Sequence, residues 1–267
     1  LTMNAPGGLT FNAAVTTAGD LTATTTAGSI AQGAYNFLST AGNITLNAGG
    51  TVSQGTYSST GNVIASAGTV TITTVGSLSR NILAGSYING ANGVTLQTTG
   101  SGSTLLLQSA VNSSAGPVSI IGNGSLNLAF TGATITAAGN VSLTSTNGTM
   151  STGALIQSTG GNIALTSGGS TNYINTMTGG LDAAGTISLT ADGYIAPGSP
   201  VFNAGGNVTF NSRSSYVNFT GKVAKIYGSN DATFTVYAAT SILLGGTYYA
   251  GSSTALDTSK GKLDIML

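Results

Sequence analysis

Residues 41–55 read AGNITLNAGGTVSQG, residues 138–150 read AGNVSLTSTNGTM and residues 160–170 read GGNIALTSGGS. Each opens on a glycine followed by an asparagine, or nearly so, and then places two aliphatic residues around a small one. The phrase recurs along the chain, with Leu21, Ile44, Val70, Val94, Val118, Val141, Ile163, Ile187, Val208 and Ala232 as the first apolar residues of successive triplets. The steps between them run from 21 to 26 residues and average about 23, and a period that tight is the mark of a repeat architecture. A further triplet at Val63 leaves the register between Ile44 and Val70 open.

A repeat of this length is too short for a propeller blade and lacks the helix of a leucine-rich repeat. It fits one coil of a parallel β-helix, in which two or three short strands are joined by turns. Secondary strand candidates bounded by Gly, Ser or Asn lie between the triplets: TVSQ at Thr51, GTM at Gly148 and GYI at Gly193. The expected fold is therefore all-β, a single right-handed parallel β-helix (β-solenoid) over residues 1–267, with about 11 coils of about 23 residues. The handedness follows the general right-handed crossover rule. At about 4.8 Å per coil, the rod would be roughly 50–55 Å long.

Strand alternation assigns the faces, because successive side chains point to opposite sides. The flanking residues of each triplet, such as Ile44/Leu46, Val94/Leu96, Val118/Ile120 and Ile163/Leu165, should stack into an aliphatic interior. The middle residues Thr45, Thr71, Thr95, Ser119, Ser142, Ser188, Thr209 and Thr233 should form an outward hydroxyl ladder, interrupted by Ala164. Just ahead of the triplets, Asp20, Asn43, Asn140, Asn162, Asn207 and Asp231 should form a structural turn ladder. Asn and Asp suit tight turns and can hydrogen-bond backbone or the equivalent residue one coil away. Pro117 takes that place as a tolerated first residue of a strand.

Composition agrees with this reading. Glycine accounts for 41 of 267 residues and charged residues for 4%, and there is no His, Cys, Trp or Glu. β-Branched Thr, Val and Ile abound, while the strong helix formers are scarce. Positive mean hydropathy and evenly spaced aliphatics argue against a disordered low-complexity chain. From Leu21 to Leu181 the only charged residue is Arg80. Six scattered basic residues cannot neutralise a run of phosphates, so no nucleic-acid partner is expected. No apolar run approaches the roughly 18–20 residues that span a bilayer, so no membrane span is expected.

The three quoted stretches resemble the repeats of filamentous-haemagglutinin-type adhesins, exoproteins of bacterial two-partner secretion. The likeness extends from about Leu21 onward, and GKLDIML from Gly261 resembles the strand before an acidic, Gly-rich turn in such proteins. No amino-terminal secretion domain is recognisable in the sequence. The resemblance implies a right-handed parallel β-helix, an extracellular or bacterial cell-surface location, and a role in a surface or released fibre. Triplet-like segments at Leu1–Met3 and Leu263–Leu267 lead to the expectation of a piece of a longer solenoid, or of copies that stack end to end. Neighbouring solenoid segments, end to end or lateral, and host or matrix glycans are the expected partners.

Parallel β-helices also serve as polysaccharide lyases and hydrolases, which need clustered carboxylates. Six Asp that do not stack, with no His, Glu or Cys, make an enzyme unexpected, and no cofactor or metal is expected. The GGxGxD pattern of calcium-binding nonapeptides is absent. An ice-templating face is disfavoured because Thr-x-Thr does not recur at one position on every coil. Tyr173, Tyr194 and Tyr216 are spaced by 21 and 22 residues, and each precedes an inward apolar residue. Their rings should line the outside as a glycan-binding or lateral-packing face, extended by Tyr237. The sequons at Asn43, Asn140 and Asn207 arise where an Asn column meets a hydroxyl column two residues later, and are not read as glycosylation signals.

Overall fold

The computed structural model describes residues 1–54, 61–80, 86–128, 134–169, 171–176, 179–198, 201–219, 225–228, 234–244, 247–250 and 262–265. Every strand pair in it is parallel, each strand bonding the equivalent strand one coil before and one coil after. Three sheets result. The first contains the triplets and has 11 strands, among them Leu21–Thr25, Ile44–Ala48, Val118–Gly122, Ile187–Ala191 and Phe234–Ala238. The second has eight strands, from Leu9–Phe11 to Ile174–Thr176, and continues through single bridges at Ile195 to a three-stranded portion. The third again has 11, from Val15–Thr17 to Thr247–Ala250.

The all-β solenoid expected from the period is thus the fold, and no helix occurs among the described residues. It has about nine turns rather than eleven. All three sheets have strands or bridges past that point, while residues 220–224, 229–233 and 245–246 lie outside the described residues.

Register settles two points left by the sequence. Val70 pairs with Ile44 in the first sheet, whereas Val63 pairs with Phe37 and Ile88 in the third. Val63 is therefore an ordinary strand of a different face. At the other end, Val208 pairs with Phe234 and Thr209 with Thr235, so the last triplet is Phe234–Val236 and not the one starting at Ala232. The final step of the first sheet is 26 residues, and Thr235 occupies the position expected of Thr233. Asp231 and Thr233 themselves lie outside the described residues.

The inward residues form one continuous aliphatic core. Ile44, Leu46, Val118, Ile120, Ile163, Leu165, Ile187 and Leu189 are all at most 1% exposed. Where the rod carries bulk, phenylalanines fill it: Phe202, Phe210 and Phe219 pack edge to face, with centroids 5.2 and 5.0 Å apart. A coil alone could not bury both sides of its strands. It is stable only because ladders above and below complete its hydrogen bonds.

Glycine is required where coils come closest. A Cβ on Gly116 would lie 1.9 Å from the Asn92 carbonyl oxygen of the preceding coil, whereas one on Gly19 would meet nothing within 4 Å.

Candidate functional site

Several polar columns run along the rod. On the first sheet, Thr22, Thr45, Thr71, Thr95, Ser119, Ser142, Ala164, Ser188, Thr209 and Thr235 pair in succession, each half-buried. A second outward column runs beside it through Thr24, Asn47, Thr73, Gln97, Ile121, Thr144, Thr166, Thr190 and Asn211. Neither contains a charge, and Ile121 and Ala164 interrupt any regular hydroxyl lattice.

The turn ladder forms as the Asn and Asp pattern suggests. Asp20 Oδ1 accepts the Asn43 N–H at 2.8 Å, and Asn43 Oδ1 accepts the Thr69 N–H at 2.9 Å. Asn140 and Asn162 repeat this with the N–H groups of Asn162 and Thr186, at 2.8 and 2.7 Å. Asn207 stands at the same turn, its carbonyl accepting the Ile187 N–H. The side-chain acceptor of one coil thereby satisfies a turn amide of the next, which strand bonds alone would leave open. Pro117 has no N–H to give and interrupts the series. A second device, not read from the sequence, lies at the strand ends. Buried Ser39 and Ser158 each accept a glycine N–H at 3.0 Å and donate to a glycine carbonyl of the preceding coil at 2.7 Å.

The tyrosine row is a stack. Tyr173 and Tyr194 have centroids 4.7 Å apart and ring planes 12° from parallel, and Tyr194 and Tyr216 lie 5.1 Å apart at 8°. Their neighbours Ile174, Ile195 and Val217 point inward and are fully buried, as expected. Burial, then the adjacent phenols, raises the Tyr194 pKa above its ordinary value. Tyr237 is not part of this row: it pairs with Asn211 in the second outward column of the first sheet, on a different face. The stacking also limits what the row can do. Both faces of Tyr194 and one face each of Tyr173 and Tyr216 are taken, so between the two end faces only edges and hydroxyls remain.

Near this row, Asp192 Oδ2 accepts the Gly169 N–H at 2.8 Å, and Oδ1 meets Arg213 Nη1 at 2.9 Å. The backbone bond, followed by that of the guanidinium, lowers the Asp192 pKa. The arginine is 58% exposed, so this is a surface clasp between coils.

Arg80, unique in its long neutral stretch, proves to be wholly buried. It pairs with Gln54, and Gln54 with Gln32, giving a polar column inside the second sheet. Gln54 Nε2 donates to Gln32 Oε1 and Arg80 Nη1 to Gln54 Oε1, while Nη2 donates to the carbonyls of Gly61 (2.7 Å) and Tyr87 (3.0 Å). Nε has no partner. Burial lowers the Arg80 pKa to about 9. The signal was present in the sequence, since alternation from Leu78 puts residue 80 inward.

On the third sheet a carboxylate and two amides stand in register: Gln157 pairs with Asp182, and Asp182 with Asn203. Among the described residues, no three of His, Cys, Asp or Glu gather as a metal site, and no helix is long and apolar enough to cross a membrane. No family model, curated protein or solved structure matches the chain.

Proposed function

We propose that the chain is a structural stretch of a secreted or cell-surface bacterial fibre or adhesin, a rod that projects a binding element or builds a matrix. The observation that carries this reading is the uninterrupted coil-on-coil pairing of the first and third sheets, with uncharged outward columns along the first. Such a body transmits length and stiffness and offers flat neutral faces for lateral contact. It has no enzymatic role in this reading: Asp20, Asp182 and Asp192 stand in separate columns. The resemblance of its repeats to those of filamentous-haemagglutinin-type adhesins supports the same reading.

Negative-stain electron microscopy of the natural material tests it. The expected result is fibres far longer than the roughly 45 Å that about nine turns supply. Discrete rods of about that length would overturn it. Lateral association through uncharged faces should also change little with salt, and dissociation in moderate NaCl would refute that contact.

A further inference from the structure

The third sheet carries a carboxylate that its own ladder does not explain. Gln157 Nε2 donates to Asp182 Oδ2 at 3.0 Å, and Asn203 Nδ2 donates to Asp182 Oδ1 at 2.9 Å. Elsewhere on the rod the same coil-to-coil link is made by amides alone, as when Asn147 Nδ2 donates to Asn123 Oδ1 at 2.8 Å. An asparagine at 182 would therefore hold the ladder together. An aspartate instead draws both amides inward onto one negative group. A carboxylate has about four acceptor sites, so two remain, beside a carbonyl and a second N–H on each amide.

The surroundings of this polar ridge are shaped. On one side Gly180 leaves a notch between Leu155 and Val201, with a volume of about 230 Å³. Those two side chains are 45% and 42% exposed, two of only five large apolar side chains that stand open among the described residues. On the other side a wider hollow of about 510 Å³ is floored by the small or short residues Thr159, Ala184 and Gly205. A hydrogen-bonding ridge with an apolar shelf on one flank and a shallow trough on the other matches a sugar ring, which has a C–H face and a hydroxyl rim. The tyrosine row offers no such combination, because its ring faces are stacked on each other.

We propose that Gln157, Asp182 and Asn203, with the Leu155–Gly180–Val201 notch, form a binding site for a neutral or amino-sugar glycan chain. Asp182 accepts from hydroxyl or ammonium groups, the amides fix the ring, and the aliphatic pair packs its C–H face. The negative group disfavours acidic polysaccharides. The site goes beyond the role as a rod and stands whether or not the chain is part of a fibre.

The test is calorimetric or NMR titration of the whole chain with three probes: a glucosamine hexamer, a cellohexaose and a galacturonate hexamer. The first two should bind, and the galacturonate at least about tenfold more weakly, the size of one lost charged hydrogen bond. Asp182→Asn, which the amide ladder can absorb, should weaken the first two by about tenfold and remove the discrimination against galacturonate. Gly180→Ser, which begins to fill the notch, should weaken them as well, with unchanged circular dichroism as the control for folding. Tyr194→Ala should leave binding as it was. Equal affinity for all three probes, no binding at about 10 mM, or binding indifferent to Asp182→Asn would each overturn the proposal. Loss in Tyr194→Ala alone would overturn it in favour of the aromatic row.

Discussion

Replacing Gly116 by alanine adds one methyl group where the coils have no room for it. The new Cβ would sit 1.9 Å from the Asn92 carbonyl oxygen and 2.8 Å from the Gly93 nitrogen. Real Cβ atoms essentially never come within 3.0 Å of another atom, so the two coils must part by more than 1 Å at this corner. The bonds that cross between the coils there are the Ala115 N–H to the Ala91 carbonyl at 2.8 Å and the Ser113 hydroxyl to the same carbonyl at 3.3 Å. An opening of that size breaks both. At about 1 kcal/mol each, with a further desolvation cost for the buried Ser113 hydroxyl, the loss is about 2–4 kcal/mol. Two other glycines separate this crowding from backbone conformation. Gly102 has φ of +70° and nothing within 4 Å of its Cβ position, so alanine there meets only the left-handed backbone penalty of about 1–2 kcal/mol. Gly19 has neither constraint, and alanine should be neutral or stabilise by up to about 1 kcal/mol. Urea unfolding of the three variants gives the comparison, and amide exchange at Val94 and Val118 reports whether the damage is local. If Gly116→Ala fell within about 0.5 kcal/mol of Gly19→Ala, the smallest difference worth reading between surface-type substitutions, close coil approach would not be what selects glycine at this corner.

Arg80→Ala should destabilise the rod by about 3 kcal/mol or more, because Gln54 Oε1 and the carbonyls of Gly61 and Tyr87 lose their donor in a dry interior; a loss under about 1 kcal/mol in urea unfolding would refute this. Tyr194→Ala removes two stacked contacts and should cost about 1–3 kcal/mol. Because Tyr194 ionises less readily in the folded rod, its contribution is whole below about pH 10 and is lost as pH rises through the raised folded value. Unfolding midpoints followed from pH 8 to 11 should fall at the alkaline end, and less steeply in Tyr194→Phe. Asp192→Asn should cost less than about 1 kcal/mol, and the cost should shrink in salt. Asp192 is held ionised in the fold, so its share of stability is present above the ordinary carboxylate range and is lost as pH falls through its lowered value.

The repeat made the solenoid legible because one period of the sequence is one turn of the fold. The pairing of Ile44, Val70, Val94 and Val118 follows directly from the triplets. The third sheet was harder to see, since its strands are three or four residues long and carry mixed outward residues such as Leu38, Ile64 and Asn89. For the same reason Val63 passed for a rival register. Tyr237 misled because a spacing of 21 residues equals a coil only where the loops between faces keep their length, and after Val208 they lengthen. The Gln157–Asp182–Asn203 ridge has no sequence phrase at all. It exists because steps of 25 and 21 residues happen to bring three polar side chains into one column. The inward place of Arg80 could be read from alternation, but not its chain of glutamines.

The ladders bind each strand to its counterparts one coil away, and the bonds run along the rod. Length is therefore stored in the molecule like thread on a spool. A coil of about 23 residues occupies about 4.8 Å of the rod yet extends to roughly 75–80 Å when drawn out. Pulling on the two ends would peel turns off singly, each opening only its own ladder while the rest stay wound. The rod would then yield under load by paying out slack in equal increments, and a taut tether would lengthen several-fold before its backbone carried the strain.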